Sequence, residues 1–431
     1  MNSFDQHINL AFESKELIEQ TQNILLRNHL NYCRNNSPYY KELLRNINID
    51  EFNINRLSEL PFTDKNFLVQ KNKLFIAADI NEIVDISYSS GTTGKPVKIM
   101  STESDLERLA YNEYKSFLAC AMSKNDSVLI TCTLDRCFIA GLAYFSGIRK
   151  LGAKAIRNGL NSLESHNLVI NDLKPTVIIG VPSFLRRLGK YIHDTGKTKA
   201  VNSVRKLICI GEPIRNRNFK TLPIGLELKE LWSAEIYSTY ASSEIVSTFC
   251  ECEHGHGGHL HPDLAAIEII DRNGNILPPG NIGEIVITPL QCTGMPLLRF
   301  KTGDISFIDN SKCRCGRNTP RLGPIIGRKQ QMLKIQGTTI YPQMIFSSLD
   351  EISGIVEYYI EVTSKNSLSD IVTLHLAVEN KSLTKEFIAN KLNAKLRVSI
   401  NISIESEELI KSRVFDINSR KPVRFFDRRE K

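Results

Sequence analysis

Apolar and polar residues follow three successive textures along this chain. Up to about residue 80 the sequence reads as helical and irregular, with SPYYKELL (Ser37 to Leu44) and LPFTDKNFL (Leu60 to Leu68) as capped segments. Ser37 before Pro38 predicts one helix start and Thr63 before Asp64 another, because a hydroxyl can accept from first-turn amides and proline suits the first helical position. Strand and helix patterns then alternate. IVDISYS predicts a strand entering a glycine-rich loop, ESDLERLAYNEYKSFLACAM a helix and DSVLITC a strand. LESHNLVINDLK predicts a helix stopped by Pro175, while TVIIGVPS and VRKLICIG are unbroken apolar runs of strand length. Strands apolar on both faces need cover on both, so this region predicts sheets flanked by helices.

At Leu264 the pattern turns to β segments with tight turns: AAIEIID, a turn over Arg272–Asn275, then GEIVITPL. After Gly327 come MLKIQG, PQMIFSSLDEI, VEYYIEV, IVTLHLAV, TKEFIANKLNAKL and ISIESEEL, strand and helix candidates of a compact α+β unit. The predicted class is multi-domain α/β. Residues 1–327 form a large N-terminal domain of helix-flanked sheets with a β-rich subdomain, and residues 328–431 a small α+β domain. No composition shift marks that boundary; it rests on the motifs below.

Length supports the division, since 431 residues exceed one ordinary core. An apolar share of 42% with 24% charged residues is that of a globular protein. The opening MNSFDQHINLAFESKEL is acidic and has no basic–apolar–small pattern, and the longest nearly apolar stretch, Cys137 to Ile148, is too short for a bilayer. A cytoplasmic protein without a membrane partner is expected. The net charge of +8 is spread along the chain, apart from a basic end (Arg413, Arg420, Lys421, Arg424, Arg428, Arg429, Lys431). Nothing in it singles out nucleic acid. Of ten cysteines, six are scattered and read as reduced core thiols. The other four form two CxC pairs.

The strongest local chemistry lies in YSSGTTGKP, Tyr88 to Pro96. Its glycines allow a tight turn, and its hydroxyls, amides and Lys95 can wrap a polyphosphate. It is not a Walker loop, because Gly91 and Gly94 are too close in sequence. The loop resembles the signature of the adenylate-forming superfamily of acyl- and aryl-CoA synthetases, luciferases and peptide-synthetase adenylation domains. YASSE (Tyr240 to Glu244), RFKTGD (Arg299 to Asp304) and GRKQQMLKIQGTTIYP (Gly327 to Pro342) resemble further motifs of that superfamily, in its order. Within it, SPYYKELL…LPFTDK, FIAGLAYFSGIRKLGA, INDLKPTVIIGVPSFL, IGEPIRN, CRCGR and RKPVRFFDRR are similar to phenylacetate–CoA ligases.

The resemblance implies a carboxylate attacking the α-phosphorus of ATP, then transfer of the acyl group to a thiol. It gives phosphate binding to Ser89, Ser90, Gly91, Thr92, Thr93, Gly94 and Lys95, and Mg²⁺ ligation to Glu244, a hard-oxygen donor. Ser243 would donate to the α-phosphate, Tyr240 beside Ala241 would pack on adenine, and Asp304 would accept from the ribose hydroxyls with Arg328 nearby. Lys421 matches a catalytic lysine on a mobile C-terminal domain, with Arg420 as its competitor. Three positions depart from the pattern: Ala241 for glycine, Gln336 for arginine, and Gln331 at the hinge. By the same analogy Phe138, Tyr144, Phe145, Ile210, Gly211 and Ala241 line the acid pocket, and an aryl or arylacetic acid is implied.

Cys250 and Cys252 precede His254, His256, His259 and His261, and Cys313 and Cys315 follow about sixty residues on. Thiolates with imidazole at paired spacing suit a closed zinc site. The resemblance supports a structural metal here, since some members of that family carry cysteines at corresponding places, and Cys252, His259, Cys313 and Cys315 are the expected set, with Cys250 or His254 as substitutes. Four free thiols beside a histidine-rich loop are the alternative. The expected function is thus ATP- and Mg²⁺-dependent ligation of a small carboxylic acid to coenzyme A, by a monomer or homodimer with a structural zinc. Loading of a carrier-protein phosphopantetheine is a second reading, and an idle nucleotide-binding protein, suggested by Gln331 and Gln336, a third.

Overall fold

The computed structural model describes residues 4–89, 96–196, 198–335, 337–366, 369–379, 382–415 and 422–429. They form two compact units, Met1–Ile325 and Ile326–Lys431. No described helix is long and apolar enough to cross a membrane.

The first unit is built on a six-stranded sheet in the order Lys154–Arg157, Ser127–Ile130, Val177–Gly180, Lys206–Ile210, Glu235–Ser242, Ser247–Cys250. The first five strands are parallel and the last is antiparallel. Successive side chains of a strand point to opposite faces, and each face here has its own core. Leu129, Ile178, Leu207 and Ile236 pack with Ile170, Leu185, Leu188 and Leu228 of three helices. Val128, Ile130, Val177, Ile179, Ile208 and Ile210 pack with Phe117, Tyr144 and Ile148 of two others. The unbroken apolar runs of the sequence therefore sit on strands covered on both faces.

Local chemistry sets the ends of those helices. Thr102 accepts from the Asp105 amide at 3.2 Å while Asp105 Oδ2 accepts from the Thr102 amide at 3.0 Å, a reciprocal cap for Glu103–Ala119. Ile139–Leu151 stops at Gly152, whose φ of 79° costs a residue without a β-carbon little. One expected helix start is shifted by a residue, and the other stands without its hydroxyl cap. Thr63 caps nothing: it forms a short strand with Asp64, its hydroxyl donates to the Leu298 carbonyl at 2.9 Å, and Asp64 caps the helix Lys65–Lys71 through the Phe67 amide at 2.8 Å. The Ser37 hydroxyl turns to the Leu74 carbonyl at 3.0 Å, leaving Pro38 to start its helix.

A second sheet runs Thr63–Asp64, Phe300–Ser306, Gly283–Pro289, Ala265–Ile270. Thr63 and Asp64 pair in parallel with Phe300 and Lys301, which joins the N-terminal region to the RFKTGD strand. Arg299 braces that strand. It is 3% exposed, meets Glu268 through two 2.9 Å bonds, and donates to the Leu60 carbonyl at 2.6 Å. A buried guanidinium with a bidentate carboxylate costs several kcal/mol to unpair, so this arginine of the motif is structural.

The second unit has a four-stranded sheet, Asn401–Ile404, Ser369–Val378, Ile355–Asn366, Phe425–Asp427, around a separate core that includes Ile345, Ile360, Leu374 and Leu392.

Candidate functional site

In open parallel sheets ligands bind beyond the carboxyl ends of the strands. Glu235–Ser242 brings Tyr240 and Ala241 to such an end, and a turn then presents Ser243 and Glu244 before the chain returns as Ser247–Cys250. The RFKTGD strand meets this end from the other sheet. The Tyr240 hydroxyl donates to Asp304 Oδ2 at 3.0 Å. Burial first, then the Asp304 carboxylate and, further off, Glu244, push the Tyr240 phenol well above its ordinary pKa, so it stays a donor. Three residues from two distant motifs thus share one place.

Glu244 is held from two sides. Ser242 Oγ donates to its Oε2 at 2.5 Å, and Lys65 Nζ lies 3.4 Å from its Oε1. Lys65 is a site residue that sequence reasoning missed. A lysine in a first helical turn reads as solvated, and only the pairing of Thr63–Asp64 with the RFKTGD strand carries it here. A ribose diol at Asp304 would share the carboxylate with Tyr240, and a cation at Glu244 would share it with Lys65.

Of the phosphate loop, Ser89 is described and Ser90, Gly91, Thr92, Thr93, Gly94 and Lys95 lie outside the described residues, as do Gln336, Arg420 and Lys421. Ser89 closes the base of the loop: its amide donates to the Val97 carbonyl at 3.0 Å and its Oγ accepts from the Val97 amide at 3.0 Å. Arg328 and Gln331 belong to the second unit.

The expected pocket residues divide. Gly211 and Ala241 are exposed at strand ends. Tyr144 is 3% exposed within the apolar cluster with Phe117, Cys132, Ile210 and Cys250, so helical spacing of aromatics here marks core. Phe138 is half-buried at the start of Ile139–Leu151, and the half-buried Phe145 faces the guanidinium groups of Arg149 and Arg157 at 5.9 and 5.2 Å. A small crevice reaching Glu244 is lined by Ile99, Met100, Val246 and Met295 together with the polar Ser101 and Asp105.

The cysteine motifs converge. Cys252, His259, Cys313 and Cys315 offer ligand atoms that all lie within 4.8 Å of one another. Cys252 Sγ is 3.6 Å from Cys313 Sγ, and Cys315 Sγ is 3.2 Å from His259 Nε2. A tetrahedral zinc with bonds of about 2.3 Å to sulfur and about 2.1 Å to nitrogen spaces its ligands by roughly 3.5–3.8 Å, so the group fits that ion. Burial, then Arg317 and Arg321, lower the His259 pKa to about 3, which keeps the imidazole neutral as a ligand must be. The proposed substitutes stand outside the group: Cys250 is buried in the core beside Cys120, and His254 is exposed.

The sequence profile of the family described as "AMP-binding enzyme" matches residues 23–292. The chain is 30% identical to a phenylacetate–coenzyme A ligase of Thermus thermophilus, over 84% of this chain and 82% of that one. It is 28% identical to the Pseudomonas putida phenylacetate–coenzyme A ligase, over 91% and 90%. In structure it is similar to 2-hydroxyisobutyryl-CoA ligase in the postadenylation state, with a TM-score of 0.84 at 18% identity, over 95% of this chain and 89% of that one.

Proposed function

This chain belongs to the AMP-binding enzyme family, and we propose that Tyr240, Ser243, Glu244 and Asp304 are the nucleotide side of its active site. The protein is an ATP-dependent, AMP-forming acid–CoA ligase. In the first step the acid's carboxylate oxygen attacks the α-phosphorus and pyrophosphate leaves. In the second the thiol sulfur attacks the acyl carbonyl and AMP leaves.

The reading of the site is carried by the 3.0 Å bond between Tyr240 and Asp304, with Glu244 close enough to bear on the same phenol. Adenylation needs charge neutralisation and in-line placement more than covalent help. Tyr240 supplies a flat face for adenine at a strand end. Asp304 supplies an acceptor for ribose hydroxyls. Ser243 supplies a hydroxyl to the α-phosphate, and residues 89–95 wrap the outer phosphates. Mg²⁺ would neutralise phosphate charge, and Glu244 is the carboxylate that would hold it. Lys421 is the cation proposed for the adenylation step.

The substrate we propose is an aryl or arylacetic acid, following the similarity to phenylacetate–coenzyme A ligases. The set Cys252, His259, Cys313 and Cys315 is proposed to hold a structural zinc. That ion would tie the loop after the Ser247–Cys250 strand to the loop after Phe300–Ser306, so the segments bearing Glu244 and Asp304 share one anchor. The test is pyrophosphate release across a panel of carboxylic acids, with and without CoA. Release that depends on an arylacetic acid and yields its CoA thioester is expected. Turnover limited to aliphatic acids would overturn the substrate class, and thioester formed only on a carrier protein would move the acceptor.

A further inference from the structure

We propose that Thr319 is the positioning residue of the metal centre, its hydroxyl holding Nδ1 of His259 so that Nε2 is the nitrogen presented to the ion. The inference rests on the zinc reading above and names a residue outside its ligand set. Thr319 Oγ1 lies 3.1 Å from His259 Nδ1, while Nε2 of the same ring lies 3.2 Å from Cys315 Sγ. The two ring nitrogens therefore have separate tasks. Both residues are buried, His259 at 1% and Thr319 at 5% exposure, so water does not substitute for either contact.

The backbone fixes this pairing. His259 stands opposite Arg321 in a two-residue antiparallel ladder, and the Leu260 amide donates to the Pro320 carbonyl at 3.0 Å. Thr319 is β-branched and precedes a proline, which restricts both its χ1 and its backbone. Its hydroxyl is thus held in place before any metal arrives.

The chemistry explains why a hydroxyl suits the position. A metal on Nε2 requires the proton on Nδ1, and Thr319 Oγ1 then accepts it. Without metal the imidazole can carry its proton on Nε2, and the hydroxyl turns to donate to Nδ1. One side chain satisfies the buried ring in both states. A ligating histidine steadied in this way binds its metal more tightly. The Thr319 carbonyl also faces the ring, so loss of the hydroxyl weakens this hold without abolishing it.

The test loads full-length wild type, Thr319→Val and Thr319→Ser with zinc and titrates each against a chromophoric chelator. We expect Thr319→Val to bind zinc roughly tenfold or more weakly, and Thr319→Ser to stay within about threefold of wild type. The ¹⁵N shifts of His259 in the zinc form should report a protonated Nδ1 in wild type and the serine variant. Equal zinc affinity in all three chains overturns the inference, as does a serine variant as weak as the valine one, which would assign the effect to the methyl group. Thr319→Ala replaces the valine variant if the latter does not fold. A wild type that takes up no zinc defeats the metal reading itself, and that result is visible before any variant is compared.

Discussion

Tyr240 and Asp304, 64 positions apart, are joined by a hydrogen bond of 3.0 Å from the phenol to Oδ2. The bond forms because a strand of the parallel sheet and the RFKTGD strand of the second sheet bring their polar ends together. It leaves Tyr240 a donor to the carboxylate for which we propose a nucleotide partner.

Asp304→Ala should therefore lose most adenylation while remaining folded, since Asp304 is only half-buried. A charged acceptor to a ribose hydroxyl contributes about 1.5–3 kcal/mol, which is roughly 10- to 150-fold in kcat/KM for ATP. Tyr240→Phe keeps the carboxylate and should cost less, about 1 kcal/mol. Steady-state kinetics with varied ATP check this, and a phenylalanine variant worse than the alanine variant would invert the assignment.

A second prediction concerns pH. Glu113 is fully buried, accepts from the Thr248 hydroxyl, and has its pKa raised to about 7 by burial. In the unfolded chain it titrates near 4.5. Below that value both states are protonated and Glu113 has no effect. As pH rises from 4.5 to about 7 only the unfolded chain loses the proton, so folding stability falls; above 7 the loss is complete and constant. Its size is on the order of 3 kcal/mol. Glu113→Gln should remove this slope, and melting curves from pH 4 to 8 should show its advantage growing and then levelling. A constant offset between the two curves would contradict the argument.

Removing zinc should unfasten more than the metal loop. The Asn318 amide donates to the Ala11 carbonyl at 2.7 Å, its side chain donates to the Glu13 carbonyl at 2.8 Å, and the Arg317 guanidinium lies 4.8 Å from the Phe12 ring. Purified protein should hold about one zinc per chain. Chelation should lower Tm by roughly 5 °C or more and open residues 10–14 to limited proteolysis before ATP binding is lost. Metal analysis, calorimetry and mapping of the first cleavage site check the three statements. Unchanged cleavage at the N-terminal segment after complete chelation would separate it from the metal.

Lys421→Ala should divide the two half-reactions. If Lys421 meets the α-phosphate, acid-dependent pyrophosphate release falls by about 100-fold or more. Thioester formation from a pre-made acyl-adenylate should remain within roughly threefold. Equal loss in both steps would give Lys421 a structural role or pass the catalytic one to Arg420.

The sequence by itself determined the elements and the local chemistry. The apolar run Val177–Gly180 reads as a strand buried on both faces, and Pro175 bounds the helix before it wherever that helix packs. The motif residues Tyr240, Glu244 and Asp304 were singled out by the resemblance of their short segments to a known family. Tertiary structure decided what depends on distance. Lys65 reaches Glu244 because of a parallel pairing 237 residues away in sequence, Thr63 with Phe300, which no local pattern encodes. The same pairing draws the Thr63 hydroxyl to a carbonyl and hands the helix cap to Asp64. Packing sent Tyr144 into the core, since helical spacing states that a face is apolar without saying what covers it. Among six cysteine and histidine candidates, it chose Cys252 over Cys250 because the strand ends at Cys250, whose thiol stays in the core while Cys252 turns toward the second loop. Spacing fixes which residues can be ligands; only the meeting of two loops fixes which of them share one point in space.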